Sequence, residues 1–189
     1  GNVGGYTLDN FQSLSENTYV ASFTIEEGGN SYSASENIPV GDLIISDGEQ
    51  FSSPYNLPII QDNDPIDSHP PVVTRLEVPS MEVGVGGLVR MQVSADGTGY
   101  HAGTGTFING VPVSSSRVSF TELGNNLYEL SYLVAGEDAP VAPCMLEASL
   151  VLVDAAGNEG LPYSSIEANY LEIYTELPTA TLDGPVQIC

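Results

Sequence analysis

The sequence has no lysine and no tryptophan, and its 189 residues include only three basic side chains, all arginine. Set against 25 acidic residues, that scarcity leaves a net charge of −22 and a pI of about 4.1. Such a surface repels nucleic-acid phosphates and anionic lipid and attracts divalent cations, so a nucleic-acid function is excluded. Cysteine is scarce too. Cys144 and Cys189 are too few and too far apart for a disulfide framework or a zinc site. Cys144 lies beside an apolar run and is expected to be a small core residue. No apolar stretch is long enough to span a bilayer, and no signal peptide or lipidation box is present, so membrane insertion is not expected.

Catalytic signatures are missing as well. There is no Gly-x-Ser-x-Gly elbow, no histidine near a plausible nucleophile and no carboxylate pair on a cleft-forming fold. His69 and His101 are the only histidines and read as exposed or structural. "GVGG" (84 to 87) has no lysine or helix after it and cannot cradle phosphate. A non-catalytic role is the expectation.

What the chain does have is β-strand pattern. With 41% hydrophobic residues it can build a core, so its charge does not mean disorder. Seven runs alternate apolar and polar residues, or stay apolar, between Gly, Pro, Asn and Asp: 72 to 78, 88 to 95, 105 to 113, 117 to 120, 127 to 135, 144 to 154 and 163 to 174. Asn109-Gly110 marks a hairpin, because both central positions of a primed turn need positive φ. Seven short strands at regular spacing predict an antiparallel sandwich of immunoglobulin-like type, with Leu130, Tyr132 and Val134 on one face.

The pattern occurs twice. "NTYVASFTIEEGG" (17 to 29) lies on "NLYELSYLVAGED" (126 to 138), with Asn17 on Asn126, Tyr19 on Tyr128 and Phe23 on Tyr132. "IISDGEQ" (44 to 50) matches "VLVDAAGNE" (151 to 159), Tyr55 matches Tyr163, and "PVVTRLEVP" (71 to 79) matches the segment from Pro178. A repeat of roughly 107 to 109 residues makes the chain a slice of a tandem array. Boundaries follow: a partial unit over 1 to 70, a complete one over 71 to 177, and over 178 to 189 the first strand of a further unit or a donor strand. Gly1 aligns with Gly110, so the first unit is expected to lack strands A, B and part of C.

The repeat resembles the bacterial immunoglobulin-like and cadherin-like repeats of large cell-surface adhesins, through "VDAAGNEG" (153 to 160) and the stretch "DNDPIDSHPPVV" (62 to 73). The second is similar to the cadherin linker, where an Asp-Asn-Asp run before Pro ligates calcium, though Pro65 and Ile66 here precede the last acid. The resemblance implies a tandem all-β module on the outside of a cell, stiffened by calcium. The implied oxygen ligands are Asp62, Asn63, Asp64 and Asp67, with Asp96, Asp154, Asn158 and Glu159 from the loops before strands C and G, a hard set that suits calcium. The competing reading makes Asp154 and Asn158 an Asx turn that satisfies loop amides. "EEGGN" (26 to 30) and "GED" (136 to 138) read as solvated loops. The expected partners are neighbouring repeats, or identical subunits joined by strand exchange into a filament or tube. A carbohydrate-binding module is the remaining alternative, through the ten tyrosines.

Overall fold

The computed structural model describes residues 1 to 62, 65 to 167 and 170 to 176. The described chain divides into two compact units, one of Gly1–Pro70 with Asp154–Asn158, the other of Pro71–Val153 with the chain from Glu159 on. All named elements among the described residues are strands.

The second unit carries the larger core. Its strands are β6 (Val73–Glu77), β7 (Glu82–Gly84), β8 (Leu88–Ala95), β9 (His101–Ala102), β10 (Phe107–Ile108), β11 (Val111–Pro112), β12 (Val118–Gly124), β13 (Leu127–Leu133), β14 (Ala148–Ser149), β15 (Leu152–Val153) and β16 (Glu172–Tyr174); β1 to β5 belong to the first unit. One sheet runs β12-β13-β8-β6 and is antiparallel throughout. Facing it are the short ladders β11-β10-β14, β15-β9 and β16-β7, with a bridge from Leu150 to Tyr163. In immunoglobulin strand letters this is D-E-B-A against C, F and G.

The pleat explains the core. On β13, Tyr128, Leu130 and Tyr132 are fully buried, and directly across on β8 stand Val93, Met91 and Val89, which are fully buried too. A one-residue slip would turn all six outward, so the register is strongly fixed. Val134 is also buried, and the face expected for Leu130, Tyr132 and Val134 is found. Asn109 and Gly110 take φ of 48° and 75°, the turn their sequence calls for.

Three expectations need correction. The sheet arrangement is not wholly antiparallel, because β16 runs parallel to β7, with Ile173 opposite Val83. Pro79 breaks the first strand run: β6 pairs with β8 before it and β7 with β16 after it, since proline has no N–H for a ladder. The run 144 to 154 is not one strand. Thr106 Oγ1 donates to the Val151 carbonyl at 3.1 Å and accepts from the Val151 amide at 3.0 Å, replacing ladder bonds between β14 and β15. Cys144 is exposed and not in the core, in a turn with φ of 65° just after Pro143; burial begins at Leu146.

The first unit contains β1 (Asn2–Val3), β2 (Tyr6–Thr7), β3 (Asp9–Ser15), β4 (Thr18–Ser22) and β5 (Val40–Gly41). β1 pairs with β2 and β5 as β10 pairs with β11 and β14. β3 pairs with β4 as β12 pairs with β13: Ser13 faces Tyr19 where Glu122 faces Tyr128. The bridges Leu43–Tyr55 and Tyr32–Ile66 repeat Leu150–Tyr163 and Val141–Ile173. This shifts the alignment of the first residues. Gly4-Gly5, with φ of 62° and 88°, occupy the turn of Asn109-Gly110, so Gly1 does not correspond to Gly110. The slip arises because only Leu8 separates β2 from β3, whereas Val113 to Arg117 separate β11 from β12. The core here is small: Val3, Tyr6, Ile38, Val40 and Ile66, flanked by Leu8, Phe23, Tyr32 and Leu43.

Candidate functional site

Three places could carry function: the acids singled out in the sequence, a buried polar cluster in the second unit, and the β3–β4 hairpin of the first.

Of the expected oxygen ligands, Asn63 and Asp64 lie outside the described residues. Asp154 is buried, and its carboxylate is taken up by its own loop: Oδ1 accepts from the amides of Ala156 at 2.9 Å and Asn158 at 2.8 Å, and Oδ2 accepts from Asn158 Nδ2 at 2.8 Å. That is an Asx turn. Asn158 Nδ2 also donates to the Asp67 carbonyl at 3.0 Å. Asp67 Oδ1 accepts from the His69 amide at 3.0 Å and the Ser31 hydroxyl at 3.4 Å. Asp96 Oδ1 accepts from the Val72 amide at 2.9 Å, within the second unit. Asp62 and Glu159 are exposed. The structure thus brings together Asp154, Asn158 and the backbone of Asp67. Among the described residues no three His, Cys, Asp or Glu side chains gather as a metal cluster, so the described carboxylates do not by themselves form a calcium coordination set, which needs six to eight oxygens. Asp47 repeats the turn in the first unit. Its Oδ1 accepts from the amides of Gln50 at 2.8 Å and Glu49 at 2.9 Å, and these bonds hold its pKa below the usual carboxylate value.

The polar cluster is one the sequence did not reveal. Asp138, expected in a solvated loop, has a side chain only 3% exposed. Its Oδ2 accepts from Tyr132 Oη at 2.5 Å, Arg117 Nη1 at 2.6 Å and the Ala135 amide at 2.7 Å. Burial opposes ionisation of Asp138, but these donors outweigh it and its pKa is lowered. Burial and the bond to Asp138 push Tyr132 up to about 12. The only available signal was indirect: in a chain with three arginines, one standing at the start of a strand has an unusual choice of acids. All three arginines are in ion pairs, Arg75 with Glu77 and Glu167, Arg90 with Glu129, Arg117 with Glu137 and Asp138. In the first unit the repeat replaces Arg117, Tyr132 and Asp138 by Leu8, Phe23 and Gly29. Leu8 and Phe23 pack on its core, an apolar solution to the same position.

The β3–β4 hairpin differs most from its counterpart. Phe11 stacks on Tyr19 with ring centroids 5.2 Å apart, as Phe120 stacks on Tyr128 at 5.0 Å. Yet Tyr128 is fully buried, and its hydroxyl donates to the Gly97 carbonyl at 3.0 Å, while Tyr19 is 44% and Phe11 55% exposed. Leu14 provides the control. It is exposed, but so is its counterpart Leu123, and both point away from the sandwich. β13 has β12 on one side and β8 on the other; β4 pairs with β3 alone among the described strands.

The second unit is thus an immunoglobulin-like sandwich, and the first repeats its strands from C onward. A solved structure described as "Tandem Ig repeats of Dlar" is similar to 58% of this chain at 24% identity with a TM-score of 0.36, and the chain spans about half of that structure. No family profile matches the chain, and no curated protein resembles it.

Proposed function

We propose that the chain is a non-catalytic structural module of an extracellular tandem array, an extender that carries other domains away from a cell surface. One observation carries this reading: a single framework of strands, turns and stacked aromatics occurs twice in one chain, down to the register of β3 on β4 and of β12 on β13. Repetition of a folded unit with variable loops builds length. The groups whose ionisation the fold shifts, Asp138 and Tyr132, are locked to each other and to Arg117, which braces a loop. The test is mechanical. Pulled from its ends, the chain gives one resistive event for the second unit with a length gain of about 350 Å, the reach of roughly a hundred extended residues. Extension without a force peak contradicts an extender.

Calcium belongs to this proposal at the acid stretch 61 to 73 rather than at the 154 to 159 loop. Asp154 already has three donors of its own, whereas Asp62 is exposed in a chain of charge −22 that concentrates cations. Calorimetric titration distinguishes the two. Binding that survives Asp154→Asn and is lost in Asp62→Asn with Asp64→Asn supports the stretch; no heat of binding in the unaltered chain removes calcium from the account.

A further inference from the structure

The open side of β4 is specified in unusual detail, because the same chain contains its closed counterpart. In the second unit β13 receives β8 antiparallel, with Tyr128 opposite Val93, Leu130 opposite Met91 and Tyr132 opposite Val89. The equivalents on the first unit are Tyr19, Ala21 and Phe23. Tyr19 and its stacking partner Phe11 are exposed, and Ala21 and Phe23 are only partly covered.

Edge strands are normally blunted by charge, proline or bulges on the edge itself. Residues 17 to 25, "NTYVASFTI", carry neither charge nor proline in a chain of net charge −22, and Glu16, Glu26 and Glu27 flank them. β8, "LVRMQVSA", has the complementary composition. It contains Arg90, one of the three cations, and no acid.

We propose that the free edge of β4 is the acceptor for one antiparallel strand of β8 type, apolar at alternate positions and free of acids, seated in the register β8 takes on β13. The guest's alternate side chains lie over Tyr19, Ala21 and Phe23, and its backbone satisfies the outward amides and carbonyls of β4. Charge selects this occupant over a second copy of the chain. Two chains of −22 repel, whereas a strand carrying an arginine and no acid is drawn to a neutral edge rimmed by glutamates. The inference goes beyond the array reading and stands without it.

The experiment adds a synthetic peptide of residues 88 to 95 to the full chain and follows amide hydrogen exchange by NMR. The expected result is saturable protection of Thr18 to Ser22 by tenfold or more, with β13 unchanged. A peptide carrying Met91→Asp gives no protection, and neither does the native peptide added to a chain carrying Ala21→Asp. Melting of the second unit, unchanged in that variant, shows that the chain still folds. No protection at millimolar peptide overturns the proposal, as does equal protection by the Met91→Asp peptide. Protection that grows with protein concentration in the absence of peptide also overturns it, and assigns the edge to a second copy.

Discussion

Two hairpins in this chain share a register and an aromatic stack and differ in what lies beside them. β12–β13 has β8 on its flank, and Tyr128 is lost from solvent; β3–β4 has no such neighbour among the described strands, and Tyr19 is 44% exposed. The stacked pair itself is nearly the same, 5.0 Å in one and 5.2 Å in the other. Local sequence therefore builds the hairpin, and the third strand turns it into core. Burying a side chain of that size contributes about 1.5–3 kcal/mol, so the same residue type carries very different weight in its two copies.

The largest test of that contrast is a matched pair of substitutions. Tyr128→Ala should destabilise the second unit by about 3–5 kcal/mol, as expected for deletion of a buried aromatic. Tyr19→Ala should cost the first unit less than about 1 kcal/mol, because its ring is largely in water already. Denaturant unfolding of each variant, followed by residue-resolved NMR, reads both. Equal costs would break the comparison.

A second contrast lies in the Arg117–Tyr132–Asp138 cluster and its apolar counterpart. Asp138→Ala leaves Arg117 and the Tyr132 hydroxyl without their shared acceptor and should cost about 3 kcal/mol or more. Substituting all three toward the first unit's solution, Arg117→Leu, Tyr132→Phe and Asp138→Gly, should cost less than Asp138→Ala alone. The cluster also sets a pH window. With its pKa depressed in the fold, Asp138 stabilises the unit above the unfolded carboxylate value of about 4 and loses that contribution as pH falls through the lower folded value. Tyr132 acts in the other direction: its contribution is complete below about 10 and is lost as pH rises towards about 12. Melting temperature against pH, in the native chain and in Tyr132→Phe, separates the two limbs.

Much of this was legible in the sequence because it is periodic or local. Alternation in 88 to 95 and 127 to 135 gave the core face, Asn109-Gly110 gave its turn, and the repeat gave the second copy. The rest depended on partners distant in sequence. Nothing local shows that β16 joins β7 in parallel. Cys144 looked buried because an apolar run follows it, but Pro143 and a positive φ hold it outside. Asp138 looked like a loop acid because its acceptor role needs Arg117 and Tyr132 brought to it by the fold. For the acid stretch 61 to 73, charge pattern located a candidate, while the Asx turn at Asp154 is set by amides that composition does not display.

Smaller effects sharpen the account at the repeat's turns. A Cβ at Gly160 would run into the Pro71 carbonyl oxygen, which is backbone and has little freedom to move. Gly160→Ala should cost about 1–3 kcal/mol by forced overpacking. Asp154→Ala, which removes the acceptor for two loop amides, should cost about 1–2 kcal/mol, comparable to the loss of a capping residue. Thermal unfolding measures both.

The central claim is that one framework occurs twice, closed by its third strand in one copy and open in the other. Native-state hydrogen exchange in the dilute, unaltered chain tests it most directly. Tyr128 to Leu133 should be protected at every position, approaching the stability of the second unit. Thr18 to Ser22 should alternate, with amides that point towards β3 protected and amides on the free side exchanging close to the rate of an unstructured peptide. Uniform protection along Thr18 to Ser22 in the monomer would show that β4 is already closed, and would contradict the account.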